Sequence, residues 1–426
     1  MLLISVFGYL KYRQYTSYNQ GIHKNAALIF RINADQVYSK LFKDYLGNSG
    51  YYEDRNKYSN LNTGLKIPAN VFVYNISGRS FDTFFCLMPI KNPENLKAFL
   101  KDELRINAIA GQETGLSFGT SPDGKLTVAY NKQRIAIAYS FKKEAIAQIL
   151  KDMLKGVNMV RPDDERLSKL RANKADVTYV YGRYEGTGNF HDGRITFNGD
   201  FSSRYLKSNQ GSLSHKKFSR SAQLTMWLNI DLSRLPFKKI IQLKNAQLNI
   251  DSLLKHKVRY ADLEVAGNIE QQDTVITYDY NEDFEKVAIA ATKTSFVPNV
   301  VLSLNSDAMP LTKYLNLERV ISYNGAFNKT LFPLYNIYWF AGTDEFKLST
   351  SKKVVSTERE DTPYFFGLEI DFGSFSSKSS SQLTFKKMRD LKSLTIFAKQ
   401  KNNDANCFEA VLKFKKSDIN GLAQLF

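Results

Sequence analysis

The chain has 426 residues and a formal charge of +17, from 59 Lys and Arg against 42 Asp and Glu. Hydrophobic residues make up 43% and charged residues 24%, which excludes a disordered chain and a multi-span membrane protein. With two Cys and four His, the chain has neither a disulfide framework nor the ligands for a structural zinc site. The 24 Tyr and 30 Phe favour β-structure, and the length predicts two or three domains.

The N-terminus is an apolar run, Leu2–Leu10, followed by Lys11, Arg13 and three tyrosines. Nine helical residues span only about 14 Å, roughly half of a bilayer core, so the run alone cannot cross a membrane. Tyrosines and cations after an apolar run are typical of the interfacial end of a signal anchor. We therefore expect residues 1–14 to be a truncated membrane anchor and residues 15–25 a linker. A short apolar element packed on the body is the alternative.

Beyond the linker, apolar runs alternate with turn signals, which predicts strands and a few helices. Strands are predicted at Leu28–Ile32, Val71–Tyr74, Thr83–Ile90, Leu116–Phe118, Leu126–Tyr130, Ile135–Phe141, Val177–Tyr184, Arg194–Phe197 and Phe201–Leu206. Turns are predicted at Asp192-Gly193 and Asn198-Gly199. Helices are predicted at Lys142–Leu154, at Arg161–Arg171 and directly after Asn92. Asn92 is a suitable N-cap because Pro93 follows it and Leu96 and Leu100 lie on one face.

An internal repeat links distant parts of the chain. Phe30–Asp35, Met226–Asp231 and Leu302–Asp307 each alternate like a strand, end in Asn-x-Asp and lead into an amphipathic stretch, and Leu368–Asp371 is a weaker copy. We interpret each as a strand turned by Asn, with Asp capping the next helix. One Asn and one Asp supply too few oxygens for Ca²⁺, so we expect no metal.

Two longer echoes suggest larger repeated units. Phe141–Leu150 resembles Phe414–Phe426, and Leu263–Asp279 resembles Leu394–Phe414. The predicted fold class is α+β, with large antiparallel sheets, helices packed on one face, and two related halves at residues 26–215 and 216–426. One continuous sheet of strand–helix units is the alternative.

No catalytic residue, cofactor or metal site is predicted. The four histidines, His23, His191, His215 and His256, lack ligand spacing, so we expect each to be solvated or hydrogen-bonded. Cys86 and Cys407 lie in strand-like runs and are expected to be buried thiols. A disulfide between them is the alternative in an oxidising compartment.

The one glycine-dense stretch, Gly182–Gly188, lacks the ending of a phosphate loop and the spacing of a dinucleotide fingerprint. We expect a hairpin loop there. Acidic clusters lie beside Lys or Arg and are typical of helix starts and solvated turns, so an enzyme is less expected than a binding protein.

The positive charge is concentrated between Phe201 and Tyr260, where twelve Lys and Arg face two Asp. Such a surface attracts anionic lipid, acidic glycan or nucleic acid, and nucleic acid ranks lowest because no recognition motif accompanies the charge. A solvated lysine-rich face is the alternative. The candidate basic patch comprises Lys216, Lys217, Arg220, Lys238, Lys239, Lys255, Lys257 and Arg259.

Phe30–Asp35 with its echoes, Phe84–Leu104, Lys125–Phe141 and Glu409–Phe426 together form a pattern that resembles large β-rich envelope proteins of unknown function from Bacteroidota. The resemblance implies a membrane-anchored location in the cell envelope, with the globular part periplasmic, and it implies no catalytic residues. This chain has no Cys near its N-terminus, so a helical anchor is favoured over a lipid one. The expected function is non-enzymatic binding or scaffolding of envelope partners. The alternatives are a carrier of lipid or apolar ligands and a hydrolase built from dispersed carboxylates.

Overall fold

The computed structural model describes residues 2–19, 21–53, 62–107, 109–110, 115–202, 206, 212–232, 240–243, 246–280, 284–353, 358–374, 388–402 and 405–425. The chain divides into two compact units. The first comprises Met1–Gly199 and Lys416–Phe426, and the second comprises Asp200–Lys415.

The first unit combines one large antiparallel sheet with helices. Its elements are α1 (Leu2–Ser17), β1 (Ala26–Asn33), α2 (Ala34–Gly47), α3 (Ser49–Glu53), β2 (Asn70–Ile76), β3 (Thr83–Pro89), α4 (Pro93–Asp102), β4 (Ile109–Ala110), β5 (Ser117–Thr120), β6 (Leu126–Tyr130), β7 (Arg134–Ser140), α5 (Ala147–Lys155), α6 (Glu165–Ala172), β8 (Val177–Tyr181), β9 (Tyr184–His191), β10 (Arg194–Phe201) and α9 (Gly421–Leu425). The last two residues of β10 belong to the second unit. The strands pair antiparallel in the order β4-β5-β6-β7-β3-β2-β1-β8-β9-β10.

The second unit is also built on an antiparallel sheet. Its elements are β11 (Ser214–Lys216), β12 (Leu224–Leu228), β13 (Ile240–Leu243), β14 (Ala246–Asn249), α7 (Ile250–Leu254), β15 (Tyr260–Tyr280), β16 (Lys286–Asn305), α8 (Ala308–Leu317), β17 (Tyr338–Ala341), β18 (Glu345–Ser349), β19 (Arg359–Asp361), β20 (Phe366–Asp371), β21 (Leu391–Asn402) and β22 (Ala405–Phe414). The strand order is β17-β18-β16-β15-β12-β20-β21-β22. Two further ribbons, β11–β19 and β13–β14, pair separately.

The predicted α+β class with large antiparallel sheets is therefore confirmed at the level of the class. The predicted boundary at 215/216 falls inside β11 of the second unit.

The predicted cap of α4 is confirmed. The Asn92 side chain accepts a hydrogen bond from the backbone N–H of Asn95 at 3.0 Å, which satisfies one of the donors that a helix start leaves open. Leu96 and Leu100 are buried on the inner face of the helix. Local sequence therefore decides where this helix begins and which face it buries.

The prediction of a helix over Lys142–Leu154 is wrong in its first turn, because α5 begins at Ala147. Two polar contacts hold the preceding segment in another conformation. The Ser140 hydroxyl donates to the Lys142 carbonyl, and the Glu144 carboxylate accepts from the backbone N–H of Ser80. Similarly, α6 begins at Glu165 rather than Arg161, with Asp164 as its N-cap.

The prediction of a hairpin loop at Gly182–Gly188 holds for the turn at Gly182-Arg183 but is wrong for the rest of the stretch. The chain turns at Gly182 and continues as β9, and packing explains why glycines occupy this strand. A Cβ on Gly186 would lie 2.3 Å from the ring of Tyr179, and a Cβ on Gly188 would lie 2.3 Å from that of Phe197. Aromatic rings from neighbouring strands therefore cover backbone that carries no side chain.

Packing also corrects one predicted turn. Asp192-Gly193 joins β9 to β10 as predicted, but Asn198-Gly199 lies inside β10 and makes no turn. A Cβ on Gly199 would lie 2.4 Å from the hydroxyl of Tyr179. The same aromatic side chain therefore accounts for two of the glycines in this part of the sheet.

Helices bury one face of the first sheet. Ile149, Leu150 and Met153 of α5 pack with Leu167 and Leu170 of α6 against side chains of β1, β2 and β3. The rings of Tyr74 and Phe85, on paired strands, stack at 6.3 Å within this core. In the second unit, α8 packs against Phe346 of β18.

The N-terminal apolar run belongs to α1, a helix of 16 residues. Within the part of the chain that the structure describes, no helix is long and apolar enough to span a membrane.

Candidate functional site

The C-terminal part of α1 is fixed to the first unit by polar contacts. Arg13 pairs with Asp35 of α2 at 2.8 Å, and Gln14 accepts a hydrogen bond from the Asn70 amide of β2 at 2.8 Å. Asn70, which is fully buried, also donates to the Ser17 hydroxyl at 2.7 Å. These contacts hold the end of α1 beside the start of α2.

A groove of about 970 Å³ lies between α1 and α2 and reaches the end of α6. Its lining includes the buried Arg31 guanidinium, which donates to the carbonyls of Leu170, Asn173 and Ala175 over 2.6–2.9 Å. Arg31 thereby satisfies carbonyl groups that the end of α6 leaves open. Tyr18 closes this end of the groove, because its hydroxyl accepts from Arg31 at 3.1 Å.

Several aromatic side chains on α1 and α2 are largely exposed to solvent. Tyr15 of α1 is 72% exposed and Phe42 of α2 is 63% exposed. We call the exposed set on the two helices the aromatic face, which comprises Tyr9, Tyr12, Tyr15, Tyr38, Phe42 and Tyr45. Of these, Tyr15, Tyr38 and Phe42 line the groove. Its members on α2 recur at i, i+4 and i+7 and so follow one stripe of the helix.

Cations border the aromatic face. Lys11, Arg171 and Lys174 line the groove together with the aromatic residues. The Arg171 guanidinium lies over the Tyr18 ring at 4.9 Å. The groove therefore combines an apolar wall with positive charge at its rim, an arrangement suited to an amphipathic anionic ligand or surface.

The basic patch predicted from sequence is only partly a surface. Lys217, Arg220, Lys255, Lys257 and Arg259 are exposed, whereas Lys238 and Lys239 lie outside the described residues. Lys217 pairs with Glu358 at 3.2 Å, and Lys257 pairs with Asp307 at 3.4 Å. Both are exposed pairs, which leave their cations open to solvent.

Lys216 is a correction to the predicted patch, because it is 4% exposed. Its ammonium group donates to the Glu264 carboxylate at 2.7 Å, and the other oxygen of that carboxylate accepts from the Ser219 backbone at 3.0 Å. A buried charge needs such a partner, since desolvation is otherwise very costly. Lys216 therefore serves the interior of the second unit.

A row of polar residues extends from this pair across the buried face of the sheet. Asp262 of β15, Ser303 of β16 and Lys347 of β18 lie directly opposite one another and are buried. Burial raises the pKa of the Asp262 carboxyl to about 6, although the charge of Lys216 acts in the opposite direction. Lys347 pairs with Glu345 at 3.1 Å.

A smaller polar pocket of about 410 Å³ lies beside His215. The His215 ring stacks on Trp227 at 4.1 Å, its Nδ1 lies 2.7 Å from the Lys216 carbonyl, and its Nε2 lies 3.6 Å from Glu360. Glu369 and Asp371 also line this pocket. Among the described residues, no group of three or more His, Cys, Asp or Glu side chains could hold a metal ion.

The two cysteines lie in strands, as predicted, but both are half-buried rather than buried. Cys86 is in β3 and Cys407 in β22, and both are free thiols. Burial raises the pKa of the Cys86 thiol to about 12, so this group is a poor nucleophile. His23 is buried, its Nδ1 accepts from the Asn25 backbone at 3.2 Å, and desolvation lowers the pKa of its ring.

Sequence reasoning missed the aromatic face as a site. The tyrosines of α1 were visible as interfacial residues, but the stripe on α2 reads like an ordinary buried face. The structure shows instead that Tyr38, Phe42 and Tyr45 are exposed.

No family model matches the chain, and no curated protein matches it in sequence. Crystal forms I, IV and III of TP0453 are similar at 8%, 9% and 8% identity, cover 79%, 79% and 76% of this chain, and have TM-scores of 0.22, 0.24 and 0.24. They are covered over 90%, 89% and 89% of their own length. TM-scores this low carry no argument about fold or function.

Proposed function

We propose that this chain is a membrane-associated protein of the cell envelope that binds rather than catalyses, and that the aromatic face contacts the lipid. The observation that carries the proposal is the exposure of Tyr15, Tyr38 and Phe42 along a groove between two helices that Lys11, Arg171 and Lys174 also line. Tyrosine is favoured where hydrocarbon meets headgroups, and lysine and arginine are attracted to anionic headgroups. The proposed occupant is thus an anionic phospholipid surface.

The apolar run at Leu2–Leu10 supports the same orientation. It precedes the exposed tyrosines on α1, so that insertion of the run would bring the aromatic face to the level of the headgroups. The resemblance to envelope proteins of Bacteroidota agrees with a periplasmic location for the two units.

Vesicle flotation with the full chain tests the proposal. We expect binding to vesicles that contain anionic phospholipid, and we expect Tyr38→Ser combined with Phe42→Ser to weaken it about tenfold, because two buried aromatic side chains are lost. Phe81→Ser is the matched control, since Phe81 is 65% exposed but lies between β2 and β3, away from the groove. Equal binding by all three proteins would refute the proposal.

Charge-reversed variants test the role of the rim cations in the same flotation experiment. Lys174→Glu reverses a charge at the groove, whereas Lys101→Glu reverses one on α4. If the rim cations face headgroups, only the first change should reduce binding, and salt should reduce the binding of the wild-type protein.

A carrier of lipid or apolar ligands is the second candidate function, and the volume of the groove favours it. About 970 Å³ lies within the range of small-molecule sites. Native mass spectrometry of the full chain purified without detergent tests this function. A stoichiometric lipid that is lost in the Tyr38→Ser/Phe42→Ser variant would support a carrier, and a protein without bound lipid would contradict it.

We also propose that the two units arose from a common ancestor. In chain order, strands β1, β2, β3, β6, β7, β8, β9 and β10 of the first unit correspond to β12, β15, β16, β17, β18, β20, β21 and β22 of the second. With this correspondence the two strand orders are identical. A helix follows the third strand in each unit, namely α4 and α8. Among the repeated segments, Phe30–Asp35 and Met226–Asp231 occupy corresponding strands, whereas Leu302–Asp307 ends a different one.

A further inference from the structure

The polar pocket beside His215 has a volume of about 410 Å³ and is lined by the sheet of the second unit and by residues from the stretch 215–223. Three neighbouring strands supply its floor. Thr225 of β12 lies directly opposite Glu369 of β20, and Glu369 lies directly opposite Thr395 of β21, so the three side chains share one face of the sheet. Asp371 lies two residues beyond Glu369 and shares this face. The volume is that of a small-molecule site.

The residues above this floor are fixed by contacts of their own. The His215 ring stacks on Trp227, which lies two residues from Thr225 on the same face of β12. The Ser219 backbone donates a hydrogen bond to the buried Glu264 carboxylate at 3.0 Å. The polar pocket is therefore formed in advance of any ligand, as small-molecule sites usually are.

The floor of the polar pocket carries polar groups without partners. Thr225 is 8% exposed, and its hydroxyl forms no hydrogen bond to any residue that the structure describes. The Glu369 carboxylate and the Thr395 hydroxyl are likewise unpaired within the described ranges. A buried hydroxyl normally has a partner, because desolvation without one costs free energy of folding. The Thr225 hydroxyl therefore points to a ligand with which it shares a hydrogen bond.

The lining of the polar pocket is acidic, although the chain as a whole is basic. Among the described residues that line it, Glu360, Glu369 and Asp371 carry negative charge and Arg220 carries positive charge. With His215 neutral, the lining therefore has a charge of −2, whereas the chain has a charge of +17. A pocket lined mainly by one sign of charge concentrates ligands of the opposite sign. The charge thus favours a cationic ligand.

Hydrogen-bonding capacity favours the same class of ligand. The His215 Nδ1 lies 2.7 Å from the Lys216 carbonyl, which can only accept, so in the neutral ring Nδ1 carries the proton and Nε2 is an acceptor. Ionised carboxylates are also acceptors only, whereas an ammonium group has three donors and no acceptor. Within the described part of the chain, the acidic and histidine side chains form no group that could hold a metal ion, but an extended organic ligand can reach separate carboxylates.

We propose that the polar pocket binds a small organic amine with two or more ammonium groups. One ammonium group contacts the Glu369 carboxylate and the hydroxyls of Thr225 and Thr395. A second contacts the Glu360 carboxylate. Two positive charges balance the charge of the lining. The proposal concerns the second unit and is independent of membrane binding by the aromatic face of the first.

Calorimetric titration of the full chain with spermidine and with putrescine, in the absence of vesicles, tests the proposal. We expect a single molecule of either amine to bind per chain, with an affinity that falls as salt is added. Glu369→Gln should weaken binding about tenfold, because a charge-assisted hydrogen bond is lost. Glu270→Gln is the matched control and should leave the affinity unchanged, since Glu270 is exposed on β15 of the same sheet but does not line the pocket. No binding of either amine, or equal affinities for the two variants, would overturn the proposal.

Thr225→Val separates a ligand-binding role of the hydroxyl from a structural one. The change removes the hydroxyl and keeps the shape of the side chain, so we expect weaker binding of spermidine but no fall in the melting temperature of the ligand-free protein, because no hydrogen bond within the described chain is lost. A lower melting temperature with unchanged affinity would overturn the role of Thr225 in the site. Butanediol, an uncharged analogue of putrescine, should not bind. Binding of butanediol as tight as that of putrescine would overturn the amine and assign the pocket to neutral polyols.

Discussion

The first unit packs apolar helices on its sheet and buries Arg31 and Asp176 as well, whereas the second unit buries an ion pair and a further carboxyl together on a sheet with the same strand order. Leu150, Met153 and Leu170 are fully buried in the first unit, and their side chains need no hydrogen-bond partner. In the second, Lys216, Asp262 and Glu264 are buried together. Strand order therefore constrains the interior chemistry of a sheet very little, provided that each buried polar group finds a partner.

Breaking the buried ion pair between Lys216 and Glu264 should lower the free energy of unfolding more than any other change considered below. Glu264→Ala removes the partner of Lys216 and leaves a buried ammonium group, so we expect a loss of about 3–5 kcal/mol in the free energy of unfolding. Urea unfolding followed by tryptophan fluorescence measures this loss, because Trp227 and Trp339 both lie in the second unit. Glu358→Ala breaks the exposed pair with Lys217 and should cost less than about 1 kcal/mol. Equal losses would show that burial does not distinguish the two pairs.

Replacement of a buried aspartate by asparagine should raise stability at Asp262 and lower it at Asp176. The pKa of Asp262 is raised from 3.8 to about 6 in the folded protein, so ionisation lowers stability as pH rises between these values. Asn resembles the protonated carboxyl. We therefore expect Asp262→Asn to be more stable than the wild-type protein by about 3 kcal/mol at pH 8, with the difference vanishing near pH 4.

In the first unit, Asp176→Asn should lower stability at pH 8. Asp176 pairs with Lys40 at 2.6 Å and accepts hydrogen bonds from Gln36 and from the Phe190 backbone, and an amide cannot replace all of these. Urea unfolding at pH 4 and pH 8 compares the two variants. Stabilisation by both, or by neither, at pH 8 would remove this distinction between the units.

Glycines under aromatic rings should be equally intolerant in both units. A Cβ on Gly188 would lie 2.3 Å from the Phe197 ring, and a Cβ on Gly367 would lie 2.2 Å from the Trp227 ring. We expect Gly188→Ala and Gly367→Ala each to cost about 2 kcal/mol through overpacking. Gly47→Ala is the control, because no atom lies within 4 Å of its Cβ position. An unchanged melting temperature for Gly188→Ala or Gly367→Ala would contradict the close packing of an aromatic ring on that glycine.

The smallest effects concern the helices that follow the third strand of each unit. Asn92 caps α4 through its side chain, whereas Asp307 precedes α8 without a side-chain capping bond. Asn92→Ala should therefore cost about 1 kcal/mol, and Asp307→Ala should cost less, since it loses only an exposed ion pair with Lys257. Chemical unfolding of both variants makes the comparison. A larger loss of stability for Asp307→Ala than for Asn92→Ala would show that Asp307, not Asn92, is the stronger helix cap.

Elements that depend on neighbouring residues were predictable. Strand β1 and the start of α4 follow from alternation and from an Asn-Pro pair, and both are present. The segment before α5 was not predictable, because the backbone of Ser80, more than 60 residues away, binds Glu144. Gly186 and Gly188 were misread for the same reason, since the rings that cover them come from other strands.

The antiparallel α+β class and the basic charge of the chain follow from its residues alone, because alternation and composition are local properties. Which cations are accessible depends on how the chain packs. Lys216 and Lys217 are adjacent in sequence, yet one is buried against Glu264 and the other is exposed. Tertiary structure likewise exposed the aromatic stripe of α2 and carried β15 and β16 beyond their sheet, because exposure depends on what packs against an element.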